Sequence, residues 1–265
     1  MKQPLNQVAE IAQKAVAIAN DLIRTSRPQI ITEKSDRDTY TDIDLTIERS
    51  IRTFLAEATP ELSFYGEEES YNEESLLDGA TWVLDPVDGT SNYVHGIPLC
   101  AVSLALVIDG KCELASISLP FTNLHYRAIK GEGAYVNNHK IQVSDTRSLR
   151  SAIISIGDYA TGAESEEKNR SRIAITAALA DSAERVRMFG SAAHDFTWTA
   201  EGRIDATVIL SNKVWDVASG ALIASEAGAV LLDKNGQPYS NASKSVVAVT
   251  PGIASELMGL LAGIE

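Results

Sequence analysis

Apolar positions recur at helical spacing from the start of the chain. Leu5, Val8, Ala12, Val16, Ala19 and Ile23 fall on one stripe and predict an amphipathic helix over residues 5 to 23. That stripe carries no polar chemistry, so its role is packing. After Pro28, Ile43, Ile47, Ile51 and Phe54 repeat the period and predict a second helix whose first turn holds Asp42 and Asp44. The helix dipole stabilises carboxylates there, which accounts for Asp42 as a capping residue; Asp44 adjoins the apolar stripe, within reach of a buried site. Leu62 to Tyr65 reads as a strand running into Gly66-Glu67-Glu68-Glu69. Trp82-Val83-Leu84 reads as a strand covered on both faces, stopped by Asp85-Pro86 and Asp88-Gly89, with a helix opening at Thr90-Ser91.

From Leu99 to Val143 the period changes to two. Alternating strands flank Asp109-Gly110, a strong hairpin signal, and Gly131 to Gly133 and Asn137-Asn138 mark further turns of an antiparallel sheet. Beyond Ser144 to Arg150, strands are separated by helices. Ile153 to Ile156, Val186 to Phe189, Ile204 to Leu210, Ala229 to Leu232 and Ser245 to Val249 read as strands. Helices are expected around Ile173 to Leu179, from Trp215-Asp216, and from Thr250-Pro251 through Leu261. The change of pattern places a boundary near residue 147, giving an α+β subdomain over 1 to 147 and an α/β subdomain over 148 to 265.

Charge narrows the chemistry. The 265 residues carry a formal net charge of −13 and no Lys/Arg block, which argues against direct nucleic-acid binding. An anionic substrate would be repelled too, unless divalent cations invert the local field. The start of the chain lacks a signal-peptide pattern, and no 18-residue apolar run is present, so the expectation is a cytoplasmic protein without a membrane partner. Cys100 and Cys112 lie in apolar alternating segments without C-x-x-C spacing and read as buried reduced thiols. His95, His125, His139 and His194 show no metal-binding spacing and read as structural or surface groups.

The carboxylates at the strand ends carry the candidate chemistry. Pro86 stiffens the backbone between Asp85 and Asp88 and leaves the Val87 carbonyl available, so hard oxygens sit at a rigid turn, as Mg²⁺ requires. Gly89 permits close approach of a ligand, and the helix start at Thr90 favours a phosphate. The hexapeptide alone is equally well read as a tight surface turn. Glu67 and Glu68 follow a strand and a glycine in the same way, whereas Glu69, Glu73 and Glu74 read as a solvated loop. Asp216, at a helix start, reads as a cap about as well as a ligand. Gly190-Ser191-Ala192 joins strand to helix with small residues that admit either a substrate ring or close helix packing.

YGEEES at 65 to 70, LDPVDGTSNYVHGIP at 84 to 98 and WDVASGALIASEAG at 215 to 228 resemble, in order and spacing, the three signature stretches of the inositol monophosphatase family. T-D-I-D at 41 to 44 resembles the family's T-x-x-D segment, and the match runs from about residue 34 to 228. The resemblance implies a layered αβαβα sugar-phosphatase fold, Mg²⁺-dependent hydrolysis of a small-molecule phosphate monoester, and homodimers. It assigns Glu67, Asp85 and the Val87 carbonyl to a first metal and Asp85, Asp88 and Asp216 to a second, with Glu67 also supporting a third. Thr90 paired with Asp44 would position the attacking water. Gly89, Thr90, Gly190, Ser191, Ala192 and Asp216 would meet the substrate.

One departure bears on specificity. Inositol-selective members carry a Glu seven residues before the metal-binding Asp, where this chain has Ile209, an aliphatic that accepts no hydrogen bond from a hydroxyl. Histidinol phosphate, fructose 1,6-bisphosphate and nucleotide 3'-phosphates stay open as substrates. Asn212 and Lys213, nearby, read as ordinary exposed loop or as recognition groups for a different polar substrate. A regulatory protein that keeps the metal site and binds a partner is the reading of another class; the full set of expected ligands favours the enzyme. A mere cation buffer would have no use for the Asp44 and Thr90 pair.

Overall fold

The first two apolar stripes close on one face of a sheet. The computed structural model describes residues 4–69, 79–240 and 242–264; Glu73 and Glu74 lie outside them. Helices α1 (Leu5–Thr25) and α2 (Asp42–Ala58) set Val8, Val16, Ile47, Ile51 and Leu55 against Leu84, Val102, Leu104 and Leu106. Between them lies a hairpin that the hydrophobic pattern does not announce, β1 (Ile31–Ser35) and β2 (Asp38–Thr41). β1 is largely exposed and the polar residues of β2 are half-buried or buried, so no apolar alternation marks the pair.

The first large sheet contains β3 (Ser63–Gly66), β4 (Ala80–Asp88), β5 (Ala101–Ile108), β6 (Lys111–Leu119), β7 (Leu124–Ile129), β8 (Gly133–Val136) and β9 (His139–Lys140), in that spatial order. The β3–β4 pair is parallel and the remaining pairs are antiparallel. Asp109 and Gly110 both take positive φ, 48° and 73°, as the tight β5–β6 hairpin requires.

After α3 (Thr90–Val94), the second half supplies β10 (Ile153–Ile156), α4 (Ser165–Ser182), β11 (Arg185–Arg187), α5 (Ala192–Ala200), β12 (Ala206–Ile209), α6 (Val214–Glu226), β13 (Val230–Leu232), β14 (Val246–Val249) and α7 (Ala254–Ala262). Its five strands lie in the order β11-β10-β12-β14-β13, with β10 parallel to both neighbours. Alternation along β14 shows how the layers form. Val246 and Ala248 face α5 and α6, while Val247 and Val249 face Ile175 and Leu179 of α4 and Leu257 and Leu261 of α7. On their other side α5 and α6 bury Phe196, Val217 and Ile223 with Ala115, Ile117 and Tyr126 of the first sheet. The layers therefore run α1/α2, seven-stranded sheet, α5/α6, five-stranded sheet, α4/α7, the αβαβα order that the resemblance implied. The stretch around residue 147 lies between β9 and a short 3-10 turn at Leu149–Ser151.

Candidate active site

Sheet register brings the acids together. Gly66 of β3 lies opposite Leu84 of β4, and the Glu67 N–H donates to the Leu84 carbonyl at 3.1 Å, so Glu67 and Asp85 emerge side by side. The strand does not stop at Asp85, where the turn residues suggested. β4 continues to Asp88, and its register with β5 slips between Asp85 and Asp88. Such an irregularity accommodates Pro86, which has no N–H for a ladder. Within it, Asp85 Oδ1 accepts the Val87 N–H at 3.0 Å.

Asp216 arrives from the first turn of α6. Carboxylate oxygens of Glu67, Asp85 and Asp216 all lie within 4.8 Å of one another. The N-cap of α6 is Lys213, which makes no side-chain cap bond, and Asp216 is engaged with the other acids. Burial, then Glu67, Asp88 and Asp216, raise the Asp85 pKa well above the carboxylate range. Asp216 is raised by burial, then by Glu67 and Asp88, against Lys213 and Lys34. Glu68 is pushed up to about 7 by burial and by Glu67. Hard oxygens crowded on rigid strand and helix ends, with Asp85 and Asp216 disfavoured as anions by burial and by their neighbours, are a donor set that fits a divalent cation.

Lys34, on the unanticipated hairpin, supplies the positive charge nearest the cluster. Its Nζ donates to Glu67 at 3.0 Å and to Glu68 at 2.7 Å. Burial lowers its pKa, but Glu67 and Glu68 outweigh that and leave it above the usual lysine value.

Asp88 stands apart from the trio. Its Oδ2 accepts the Ser191 hydroxyl at 2.5 Å and the Ala193 N–H at 2.6 Å, and its Oδ1 accepts the Ala192 N–H at 3.2 Å. It thus caps α5 from the other half of the chain. Burial pushes its pKa up to about 6 against those three donors. Behind Ser191, His194 places Nδ1 at 2.8 Å from the hydroxyl. Since Ser191 gives its single proton to Asp88, we assign the proton of this second bond to His194 Nδ1.

Asp44 and Thr90 meet as expected. Thr90 Oγ1 lies 3.1 Å from Asp44 Oδ1 and 3.0 Å from the Val87 carbonyl. Asp44 is also the reciprocal partner in a capping box with Thr41, which accepts the Ile43 and Asp44 N–H groups. Asp42 does not cap its own helix. Its carboxylate receives the Gln29 and Ile30 N–H groups, tying down the chain before β1.

Glycines allow the two halves to approach. Gly89 has φ 88°, and a Cβ there would sit 2.8 Å from the Leu99 carbonyl and 3.0 Å from that of Gly190. Beside it, Asn92 Nδ2 donates to the Leu99 and Phe189 carbonyls at 2.8 and 2.7 Å. At Gly66 a Cβ would fall 2.3 Å from Glu48 Cδ. The buried Glu48 carboxylate lies there because it accepts the Glu68 and Glu69 N–H groups at 2.9 and 3.0 Å. Glu69 is no solvated loop residue, since Arg49 and Arg52 both pair with it.

A cavity of about 290 Å³ opens beside these groups, walled in part by Asp88, Gly190, Ser191, Ala192, Ile209 and Asp216. Ile209, 4% exposed, presents an apolar surface at the end of β12. Asn212 is taken up by Ser243 and Tyr239, while Lys213 stays exposed at the cavity. His95 is exposed and bonds to the Ser91 carbonyl of its own short helix. Glu48, Lys34 and Asn92 carry no sequence motif that marks their roles, and His194, read as a structural or surface group, is a buried partner of Ser191. Glu48 had one legible signal, a carboxylate beside the apolar stripe of α2.

The αβαβα layers, with carboxylates gathered at the strand ends, are the architecture that the family resemblance implies. The family model for the inositol monophosphatase family matches residues 4–263. A relative named inositol-1-monophosphatase ImpA, from Mycolicibacterium smegmatis, is 31% identical over 254 residues, 96% of this chain and 91% of its own. One named Nus factor SuhB, from Vibrio cholerae, is 34% identical over 256 residues, 95% of this chain and 92% of its own. The crystal structure of extragenic suppressor protein suhB from Bartonella henselae superposes with a TM-score of 0.88 at 28% identity, covering 96% of this chain and 98% of that one. The chain belongs to the inositol monophosphatase family, and with it to the phosphoric monoester hydrolases. Among the described residues, no helix is long and apolar enough to cross a membrane.

Proposed function

We propose that the protein hydrolyses a small-molecule phosphate monoester in a reaction that depends on two to three Mg²⁺ ions. The observation that carries this is the convergence of Glu67, Asp85 and Asp216 from β3, β4 and α6, beside the Asp44–Thr90 pair. In this reading Glu67, Asp85 and the Val87 carbonyl hold one ion, Asp85, Asp88 and Asp216 a second, and Glu67 shares a third. Bound there, Mg²⁺ supplies neutralisation of phosphate charge and a lowered pKa for water.

The chain's own groups do the positioning. Thr90 directs its proton to Asp44 and Val87, which leaves its oxygen lone pairs to accept from, and so orient, the attacking water. Asp44, held by Thr41, keeps the Thr90 rotamer fixed. Backbone at Gly89 and Thr90 receives the phosphate, while Asp216 and the Gly190-Ser191-Ala192 turn face the departing alcohol in the cavity. Ile209 turns selectivity away from inositol phosphates, so histidinol, sugar and nucleotide 3'-phosphates belong to the candidate range. The free thiols Cys100 and Cys112 suit a cytoplasmic location, and homodimer assembly is carried by the family resemblance. Residue 147 is the proposed dividing point between the subdomains.

The test is phosphate release with and without Mg²⁺ across inositol, histidinol, fructose and nucleotide phosphates, with Glu67→Gln as the blank. Mg²⁺-dependent release by the wild type alone is expected; equal release by the variant would contradict the site. The name of the Vibrio cholerae relative favours a second reading, a regulatory partner-binding role. Silence across the panel from folded, Mg²⁺-binding protein would favour that role, and partner capture would test it.

A further inference from the structure

We propose that Arg172 anchors a second anionic group on the substrate, a phosphate or carboxylate carried by the alcohol that the reaction releases. This rests on the phosphomonoesterase reading and names the substrate class for that site.

Arg172 projects from α4 into the wall of the same cavity that contains Asp88 and Asp216, and it is only 8% exposed. A guanidinium stays charged and presents five N–H donors in a planar fork. Here one nitrogen, Nη2, is fixed by the Leu210 carbonyl at 3.1 Å. Among the described residues, no ion pair engages Arg172 within 4.0 Å. Asp158 lines the cavity as well, but it is exposed and does not pair with it. A buried, unpaired charge is costly unless an ion of opposite sign meets it.

The surroundings favour an anion. Arg172 and Leu210 also line a neighbouring cavity of about 390 Å³, whose wall adds Lys168, Lys234 and Lys244 against the single acid Asp233. The Asp233 carboxylate is occupied by its own turn, accepting the Asn235 and Gln237 N–H groups, and Lys168 pairs at the surface with Glu164. In a chain of net charge −13, this wall is a local reversal of sign. Ile209 precedes Leu210, the residue that fixes Arg172, and puts an aliphatic side chain on that part of the wall. Four acids, Asp88, Asp158, Asp195 and Asp216, line the rest of the cavity, and none of them pairs with Arg172.

Arg172→Gln tests this, because the charge is lost while α4 keeps an unbranched polar side chain at that position. With saturating Mg²⁺, kcat and KM are measured for glycerol 2-phosphate, 2-phosphoglycerate and fructose 1,6-bisphosphate. The wild type is expected to prefer one or both anion-bearing esters by kcat/KM. In Arg172→Gln the KM of the preferred ester should rise about tenfold or more, with kcat little changed and glycerol 2-phosphate unaffected. Whichever of the carboxylate and phosphate esters loses more identifies the anchored group. Equal loss on all three esters, or none, would overturn the assignment to Arg172. Should the variant not fold, the wild-type comparison still decides: preference for glycerol 2-phosphate overturns the inference while leaving the hydrolase reading in place. Absence of Mg²⁺-dependent release from every ester would overturn both.

Discussion

Asp88 and Ser191, 103 residues apart in sequence, share a 2.5 Å hydrogen bond in the protein interior. Through it the strand that ends in the acidic cluster is fastened to the helix that walls the substrate cavity. The same carboxylate receives two N–H groups from the start of α5, so Asp88 joins the halves of the chain whether or not it also binds a cation. Its substitution by Asn would present donors to donors and disturb the fold along with the chemistry.

Ser191→Ala isolates the joint. It removes the hydroxyl between Asp88 and His194 without adding bulk, leaving both partners buried and short of a bond. A loss of about 1–3 kcal/mol in unfolding free energy is expected. Urea denaturation measures it, and a change within error would mean that water replaces the hydroxyl at no cost.

Glu48 gives the second prediction. Its carboxylate accepts the Glu68 and Glu69 N–H groups and pairs with Arg52, so it fixes the turn that follows β3 and aims Glu67 at Asp85. Glu48→Gln is nearly isosteric and spares the close contact with Gly66. Removal of a group that orients a metal ligand costs about 10–100-fold in metal affinity. The Mg²⁺ concentration for half-maximal phosphate release should rise accordingly, with kcat largely recovered at saturation. An unchanged Mg²⁺ titration would reduce Glu48 to a packing residue.

The parts legible in the sequence were those with local grammar. Hydrophobic periods located α1, α2 and the antiparallel strands, because each buries one face. Strand-end acids and family spacing picked out Glu67, Asp85 and Asp216. What the sequence hid was register and partnership. Nothing local indicates that β3 pairs in parallel with β4, that Lys34 reaches back from an exposed hairpin, or that Asp88 caps a helix from the other half. His194 illustrates the limit: an isolated histidine among small residues gives no sign of the buried bond to Ser191. The run Glu67-Glu68-Glu69 likewise looks uniform, yet the first faces Asp85 and Asp216 while the third pairs with two arginines.

Mutual repulsion within the acidic cluster yields a third prediction. Burial and neighbouring acids raise the pKa values of Asp85 and Asp216, so ionising them together at neutral pH destabilises the folded protein. A divalent cation that binds only the folded form offsets this, contributing about 2.7 kcal/mol at a hundredfold excess over Kd. Calorimetry at constant ionic strength should show a higher Tm with Mg²⁺ than with Na⁺, and a smaller gain for Glu67→Gln. A melting temperature indifferent to Mg²⁺ would contradict a preformed site.

The last prediction concerns acid stability and lies far from the acids. His125, on β7, holds Nε2 at 2.9 Å from the Ser116 hydroxyl, and burial with the nearby Arg127 lowers its pKa to about 4. An unfolded chain would hold this imidazole near a pKa of about 6.5. Between those values the unfolded state binds more protons, so stability rises with pH through the window. The contribution of His125 is therefore full above about pH 6.5 and is lost as pH falls toward 4, with about 2 kcal/mol of it gone by pH 4.5. Acids with raised pKa values, such as Asp85, act in the opposite direction, so the wild-type curve alone does not isolate it. His125→Asn does. The difference in unfolding free energy between pH 7 and pH 4.5 should shift in the variant by about 2 kcal/mol toward greater relative stability in acid. Parallel curves for wild type and variant would show that the imidazole titrates alike in the folded and unfolded chains.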